Sequence, residues 1–203
     1  MSDIKKRVEL AFMRFGCDKM YTHDYHLLYE NILNDDIESI LEIGVKQGRS
    51  LGAWRSILPK TTLYGVDITD EEFNDKFIPS DAKTFVLDST AAKSLEKLGV
   101  DSFDIIIDDG NHFIENQIMT FQNFHKAFKK HYVIEDVYGE NINYLIGYIK
   151  SVETFRKIEI FVSKQALSMA AYQNFSKRHN RPVKIKPREE GMPLNMYAVI
   201  ITR

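Results

Sequence analysis

The chain has 203 residues, of which 44% are hydrophobic and 28% charged, so it is long enough to bury one stable core and is not disordered in composition. Its formal net charge of -2 gives no general attraction to nucleic acid or to anionic lipid. Cys17 is the only cysteine, which excludes an internal disulfide, and neither an apolar leader nor a long apolar run is present. We therefore expect a soluble, cytoplasmic protein whose partners are neither nucleic acid nor membrane.

Short apolar runs rich in β-branched residues alternate with amphipathic segments along most of the chain. Strands are predicted over residues 39–44, 62–67, 83–88, 103–108, 131–136, 157–162 and 196–202. Helices are predicted over residues 4–15, 24–34, 50–58, 90–98, 114–128 and 141–155. Because near-continuous apolar runs suit strands that are buried on both faces, this alternation predicts an α/β fold. We expect a doubly wound, mostly parallel seven-stranded sheet with helices on both faces.

The whole chain, residues 1–203, is interpreted as one domain with three parts. Residues 1–36 supply N-terminal helices, residues 37–140 the ligand-binding core, and residues 141–203 a further helix and the last two strands. Basic residues are frequent at positions 164–188, between those two strands. This stretch suits either a substrate-facing flap or a solvated surface loop. A homo-oligomer and a fusion to other domains both remain open.

Each of the first five predicted strands ends in or near acidic residues. In chain order these are Glu42, Asp67, Asp88, Asp108 with Asp109, and Glu135 with Asp136. In an open α/β sheet, ligands bind outside the carboxyl ends of the strands. Acidic turn residues and helix caps would explain one or two of these positions. Five in succession predict a ligand site along one rim of the sheet.

The turn after the first strand carries Gly44 and Gly48, where the backbone can pass close to a ligand. Its G-x-x-x-G pattern lacks the third glycine of the dinucleotide fingerprint, which disfavours a nicotinamide-dependent dehydrogenase. Asp67, at the end of the second strand, is placed to accept hydrogen bonds from ribose hydroxyls. Together these residues predict a nucleoside-binding site.

A second group of acidic residues follows the fourth and fifth strands. Asp109, Glu135 and Asp136 would face one another across neighbouring strands and repel unless a cation neutralised them. Their oxygen ligands suit Mg²⁺ or Mn²⁺. His112 follows one short turn after Asp109 and would take a proton from a bound substrate, although a structural role is the alternative. A metal-dependent hydrolase would leave the glycine turn without a role, and a non-catalytic nucleotide-binding module would leave His112 without one.

Several short segments, taken in their order along the chain, resemble the small class I S-adenosylmethionine-dependent methyltransferases related to the macrocin- and mycinamicin-type sugar O-methyltransferases. The similar pieces are DK at 18–19 with His23 and Tyr25, ILEIGV at 40–45 with Gly48, Ser50, Leu51 and Trp54, YGVDI at 64–68, IIDDGNH at 106–112 with Gln117 and Phe121, and VIED at 133–136. Two departures are Asn111, where the family usually has serine, and the Lys129–Lys130–His131 run, where it usually has a glycine pair.

The resemblance implies a Rossmann-like fold, S-adenosylmethionine as methyl donor, and Mg²⁺-dependent methylation of a hydroxyl on a small-molecule or glycan acceptor, such as the deoxysugar rhamnose. It implies Asp109, Glu135 and Asp136 as metal ligands and His112, with Asp109, as the catalytic residues. The implied cofactor-binding residues are Lys19, Glu42, Gly44, Gly48, Ser50, Asp67, Asp88 and Asp108. A catechol-like or other small acceptor is the alternative.

Overall fold

The computed structural model describes residues 3–21, 23–162 and 196–203. The basic stretch at 164–188, interpreted above as a flap or a surface loop, lies outside these residues. Across the described part of the chain, no helix has both the length and the apolar character needed to cross a membrane.

Six α-helices and seven strands form the described structure. The helices are α1 (Asp3–Phe15), α2 (Asp18–Tyr21), α3 (Tyr25–Ile32), α4 (Arg49–Ile57), α5 (Ile114–Phe124) and α6 (Ile142–Val152), with 3₁₀ turns at Leu95–Leu98 and Gly139–Asn141. The strands are β1 (Ser39–Ile43), β2 (Thr62–Asp67), β3 (Lys83–Val86), β4 (Phe103–Asp108), β5 (Phe128–Tyr138), β6 (Lys157–Val162) and β7 (Met196–Thr202).

All seven strands join one sheet in the order β3-β2-β1-β4-β5-β7-β6. The first five strands pair in parallel, and β7 runs antiparallel to both of its neighbours, β5 and β6. The mostly parallel seven-stranded sheet is therefore confirmed. Strand order reverses between β1 and β4, and such a reversal leaves a crevice at the carboxyl ends of the two strands.

Helices cover both faces of the sheet, as predicted. On one face, Phe12 of α1, Tyr29 of α3 and Trp54 of α4 are fully buried, and the Trp54 ring meets the other two edge to face at 5.1 and 4.7 Å. On the other face, Phe121 of α5 and Leu145 of α6 are fully buried in a second apolar cluster. Burial of this apolar surface is the main force that holds the layers together.

The helix predicted over residues 90–98 is wrong, because only the 3₁₀ turn Leu95–Leu98 forms there. The Ser94 hydroxyl donates to the backbone carbonyls of Asp88 and Ala91, which offers the chain an alternative to helical pairing. Gly99 then ends the turn in the left-handed conformation, with φ of 63°.

The fifth strand is longer than predicted and does not end at Asp136. β5 begins at Phe128 and continues to Tyr138, while its parallel pairing with β4 stops at Ile134. Its pairing with β7 shifts between Ile134 and Val137, where Asp136 adopts a φ of 53°. Glu135 and Asp136 therefore lie in a bulge inside the strand, just beyond the end of β4.

Candidate cofactor and metal site

A cleft of about 630 Å³ opens at the carboxyl ends of the parallel strands. Its lining includes the predicted site residues Gly44, Ser50, Asp67, Asp88, Asp108, Asp109, His112 and Asp136. Four other predicted site residues are not among those that line it: Lys19, Glu42, Gly48 and Glu135. The structure thus brings eight of the twelve predicted site residues to one cleft and leaves the other four out of its lining.

The glycine turn is held by a carboxylate at the end of β2. Oδ2 of Asp67 accepts the backbone N–H groups of Val45 and Lys46, both at 2.8 Å. Gly44 has a φ of 94°, and a Cβ at this position would overlap the backbone carbonyl of Asp109. Only glycine allows this contact between the first and fourth strand ends. Asp67 therefore shapes the turn as well as lining the cleft.

Gly48 adopts a φ of 76° at the start of α4, and a Cβ there would overlap the side chain of Ile78. Glycine is needed at this position for the geometry of the turn and for packing.

Asp88 lies two residues beyond the end of β3, at another part of the cleft. Its Oδ1 accepts the backbone N–H of Thr90 at 2.9 Å and the Thr90 hydroxyl at 2.6 Å. These hydrogen bonds lower the pKa of Asp88, so the carboxylate stays charged.

Asp109, His112 and Asp136 come together at another part of the cleft. Each offers one ligand atom, and the three atoms lie within 4.8 Å of one another. His112 Nε2 is 3.7 Å from Asp136 Oδ2. A histidine nitrogen and two carboxylate oxygens at this separation suit either a divalent cation or a proton-transfer pair.

Asp136 is oriented by Tyr25 of α3 and by His23 of the loop that precedes this helix. The Tyr25 hydroxyl donates to Asp136 Oδ1 at 2.7 Å, and His23 Nδ1 lies 3.3 Å from the same oxygen. Burial, together with the charge of Asp136, raises the pKa of Tyr25 well above its usual range, so the phenol remains a hydrogen-bond donor.

Lys19 and Glu135 form a buried ion pair behind the cleft. Lys19 Nζ lies 2.6 Å from both Glu135 Oε2 and Asp109 Oδ2, and 3.5 Å from Glu42 Oε1. The Tyr29 hydroxyl donates to the other oxygen of Glu135. Both oxygens of Glu135 thus have partners. Glu135 is not in the group of three residues, Asp109, His112 and Asp136, whose ligand atoms lie close together.

Glu42 lies in β1 beneath the glycine turn and is fully buried. Its Oε2 accepts the Ser50 hydroxyl at 2.7 Å and the Trp54 indole N–H at 3.2 Å. Burial raises the pKa of Glu42 to about 7, even though the nearby Lys19 and the bond from Ser50 oppose this rise. Ser50 lines the cleft and thus connects it to the buried carboxylate of Glu42.

Asp108 presents an oxygen with no hydrogen-bond partner in the described part of the chain. Its Oδ1 accepts the Gly110 N–H at 3.3 Å, whereas Oδ2 has no partner, although the residue is 3% exposed and lines the cleft. Burial raises the pKa of Asp108 to about 7. Because buried polar atoms are rarely left unpaired, this oxygen is a ready acceptor for a ligand group.

Sequence reasoning missed several polar residues that line the cleft. These are Gln47, Arg49, Ser89, Thr90, Asn116 and Thr120, while Asp18 and Gln117 entered only through the resemblance. It also missed Tyr29, although Tyr25 and Tyr29 lie four residues apart and so share one face of α3. That spacing was the one available signal that both phenols point at the same carboxylate cluster.

Two curated proteins are similar to the chain in sequence. The 8-demethyl-8-alpha-L-rhamnosyl tetracenomycin-C 2'-O-methyltransferase of Streptomyces olivaceus is 30% identical over 139 residues, which is 62% of this chain. The mycinamicin VI 2''-O-methyltransferase of Micromonospora griseorubida is 29% identical over 136 residues, also 62% of this chain. The match spans only 36% and 33% of the length of these relatives. No protein-family model matches the chain.

Solved structures show the same fold. The MycE methyltransferase from the mycinamycin biosynthetic pathway, in complex with Mg, SAH and mycinamycin VI, gives a TM-score of 0.63 at 20% identity, covering 97% of this chain and 53% of that one. The plantazolicin methyltransferase BpumL, in complex with SAH and a pentazolic desmethylPZN analog, gives 0.61 at 16% identity, covering 99% and 97%.

The chain therefore has the fold of the class I S-adenosylmethionine-dependent methyltransferases, as the resemblance predicted. Within that class, it is similar in sequence to the sugar O-methyltransferases of the tetracenomycin and mycinamicin type.

Proposed function

We propose that the chain provides an S-adenosylmethionine-dependent O-methyltransferase site that methylates a hydroxyl of a sugar or glycan with the help of a divalent metal. One observation carries the proposal. The turn at Gly44 with Asp67 and the group formed by Asp109, His112 and Asp136 line the same cleft of about 630 Å³. A donor and an acceptor bound there would lie side by side, and such positioning supplies a large part of the catalysis in a transfer reaction.

The half of the cleft at Gly44 fits a nucleoside with an attached amino acid. Asp67 accepts the N–H groups of Val45 and Lys46 at Oδ2 and that of Ile68 at Oδ1, so only Oδ1 keeps a lone pair for a ribose hydroxyl. Asp88 with Thr90 offers polar atoms to a base. The free oxygen of Asp108 can accept a donor from the rest of the cofactor. S-Adenosylmethionine supplies a methyl group on a positively charged sulfonium, which an acceptor oxygen can attack in line.

The half of the cleft at His112 fits the activation of an alcohol, which is protonated at pH 7. His112 Nε2 would remove the proton, and Asp136, 3.7 Å away, would stabilise the resulting imidazolium. Asp109 and Asp136 would hold a divalent cation, and the predicted third ligand, Glu135, joins them only by giving up a contact with Lys19 or Tyr29. When bound, the cation would stabilise negative charge on the acceptor oxygen.

The acceptor class follows from the relatives and from the lining of the cleft. The curated relatives are named as 2'- and 2''-O-methyltransferases, one of a rhamnosyl compound. Asn116 and Gln117, four and five residues after His112, also line the cleft. The amide of Asn116 and the Oε1 of Gln117, whose Nε2 already donates to the Glu135 carbonyl, can hydrogen-bond sugar hydroxyls. A rhamnose-like deoxysugar is our proposed acceptor.

Calorimetric titration tests the cofactor, and a transfer assay then tests the acceptor. We expect S-adenosylmethionine to bind with an affinity in about the micromolar range, and NAD not to bind, with Mg²⁺ or EDTA present. Labelled methyl should then pass to rhamnosides or nucleotide sugars in Mg²⁺ and not in EDTA. Binding of NAD, or of neither nucleotide, would contradict the proposal, and transfer to a catechol alone would restrict it to a different acceptor.

A further inference from the structure

Lys19 is a buried cation that the proposed reaction does not use. It lies on the short helix α2, its side chain is 1% exposed, and it does not line the cleft. Its ammonium lies 2.6 Å from oxygens of both Asp109 and Glu135, which come from different strand ends. Burying such a charge is costly unless it is paired and hydrogen-bonded, so its position needs an explanation.

The surroundings of Lys19 carry more negative than positive charge. One ammonium contacts three carboxyl groups, those of Glu42, Asp109 and Glu135, and Asp136 lies beyond Asp109. Burial opposes the charge of Lys19, but the three carboxylates outweigh it and raise its pKa well above the usual range. The group is therefore short of positive charge.

Lys19 connects the buried group to the proposed cation site through a single residue. It binds Oδ2 of Asp109, and the same carboxylate offers a ligand atom within 4.8 Å of those of His112 and Asp136. A change in charge at Lys19 thus acts directly on a carboxylate that would hold the cation. The Tyr29 hydroxyl, by contrast, binds Glu135 and brings no charge.

We infer that Lys19 is a positioning residue, a built-in counter-charge that holds Asp109 and Glu135 together when no divalent cation is bound and that weakens the affinity for that cation. The inference rests on the metal site of the proposed function. Without the ammonium, the carboxylates repel one another, and a divalent cation becomes the main source of compensation. The site then assembles only with metal.

Three variants separate this charge effect from loss of packing. Lys19→Met removes the charge and keeps most of the length of the side chain. Tyr29→Phe is the matched control, because it removes a hydrogen bond to Glu135 and leaves the charge unchanged. Lys19→Met/Glu135→Gln removes one charge of each sign. For each variant, Mg²⁺ affinity is measured by calorimetry, and Tm is measured in EDTA and in excess Mg²⁺.

We expect Lys19→Met to bind Mg²⁺ at least about tenfold more tightly than the unmodified protein, with a lower Tm in EDTA that Mg²⁺ largely restores. Tyr29→Phe should lower Tm with Mg²⁺ affinity within about threefold of the unmodified protein. The double variant should regain Tm in EDTA relative to Lys19→Met. Unchanged or weaker Mg²⁺ binding by a folded Lys19→Met overturns the inference.

Two further outcomes are also decisive. If Lys19→Met does not fold, the double variant decides, because recovery of folding supports the counter-charge role and failure overturns it. If the unmodified protein binds no divalent cation, the metal assistance in the proposed function fails. The comparison of Tm in EDTA needs no metal, so it still decides whether Lys19 compensates the charge of Glu135.

Discussion

His112 Nε2 lies 3.7 Å from Asp136 Oδ2, and both residues hold left-handed backbone conformations, with φ of 63° and 53°. Neither residue is glycine, so each conformation costs of order 1–3 kcal/mol and persists only because the surrounding structure enforces it. Such conformations gather at functional sites. Here they turn the imidazole of the loop after β4 and the carboxylate of the bulge in β5 towards each other.

His112→Asn should remove the base and keep the turn, because asparagine tolerates the left-handed conformation. We expect kcat to fall by about 10²–10⁴-fold, the contribution typical of general base catalysis. The affinity for S-adenosylmethionine should stay within about threefold, and Tm should be nearly unchanged. Rapid-quench assays measure kcat, calorimetry measures the cofactor affinity, and thermal denaturation measures Tm. Loss of cofactor binding by a folded variant would show that His112 has a different role.

Asp136→Asn should weaken Mg²⁺ binding at least about tenfold, because the number of charged oxygens largely sets the affinity of a site for a hard cation. The fold should survive, since the amide oxygen can still accept the hydroxyl of Tyr25. Asp81→Asn is the control, because Asp81 is an exposed carboxylate paired with Arg55. Calorimetry with Mg²⁺ compares the two, and equal affinities would remove Asp136 from the ligand set.

Two glycine-to-alanine changes should have opposite effects on stability. Gly44→Ala brings a Cβ against the carbonyl of Asp109 at a φ of 94°, so we expect a loss of at least about 2 kcal/mol in unfolding free energy and weaker cofactor binding. Gly147→Ala lies in α6 with open space around it and should gain about 0.5–1 kcal/mol. Urea titration measures both. A stable Gly44→Ala would mean that the two strand ends can separate without cost.

Asp108 should make stability fall as pH rises. Burial raises its pKa to about 7 in the folded protein, above the ordinary value of 3.8, so between these values the folded state binds more protons than the unfolded state. Its contribution is complete below about pH 4 and is lost as pH rises through about 7. Asp108→Asn cannot ionise, so its unfolding free energy should match that of the unmodified protein near pH 4 and exceed it at pH 8.

Asp88→Asn serves as the control, because the pKa of Asp88 is shifted in the opposite direction to that of Asp108. The hydrogen bonds from Thr90 lower the pKa of Asp88, so its contribution is complete above the ordinary pKa and is lost as pH falls through the lower folded value. The effect of this variant should therefore be constant from pH 5 to 8. An Asp108→Asn curve that stays parallel to that of the unmodified protein over this range would contradict the buried charge at Asp108.

The sheet and the rim of the cleft could be predicted because their signals are local. Apolar runs mark the strands, and Gly44, Asp67 and Asp109 occur where those runs end. Lys19 was placed among the cofactor ligands through the resemblance, yet it is buried against partners 90 and 116 residues away in the sequence. No local pattern marks a buried lysine, because only tertiary pairing makes its burial tolerable.

The bulge in β5 escaped prediction for a related reason. Glu135 and Asp136 follow an apolar run, and two acidic residues ordinarily signal that a strand has ended. The strand continues because Lys19, Tyr25 and Tyr29 satisfy both carboxylates, and because β7 supplies a backbone partner beyond the end of β4. These contacts come from distant parts of the chain, so the strand length depends on them rather than on local propensity.

The position of β7 between β5 and β6 also determines when this sheet can be completed during synthesis. β5 has β4 on one side, but its other partner is the last strand of the sheet, Met196–Thr202. Until those residues leave the ribosome, the long β5, with Val133 and Ile134 fully buried in the finished protein, has an open edge. Open apolar edges attract other chains. The nascent protein therefore carries an aggregation-prone open edge on β5 until its seventh strand emerges.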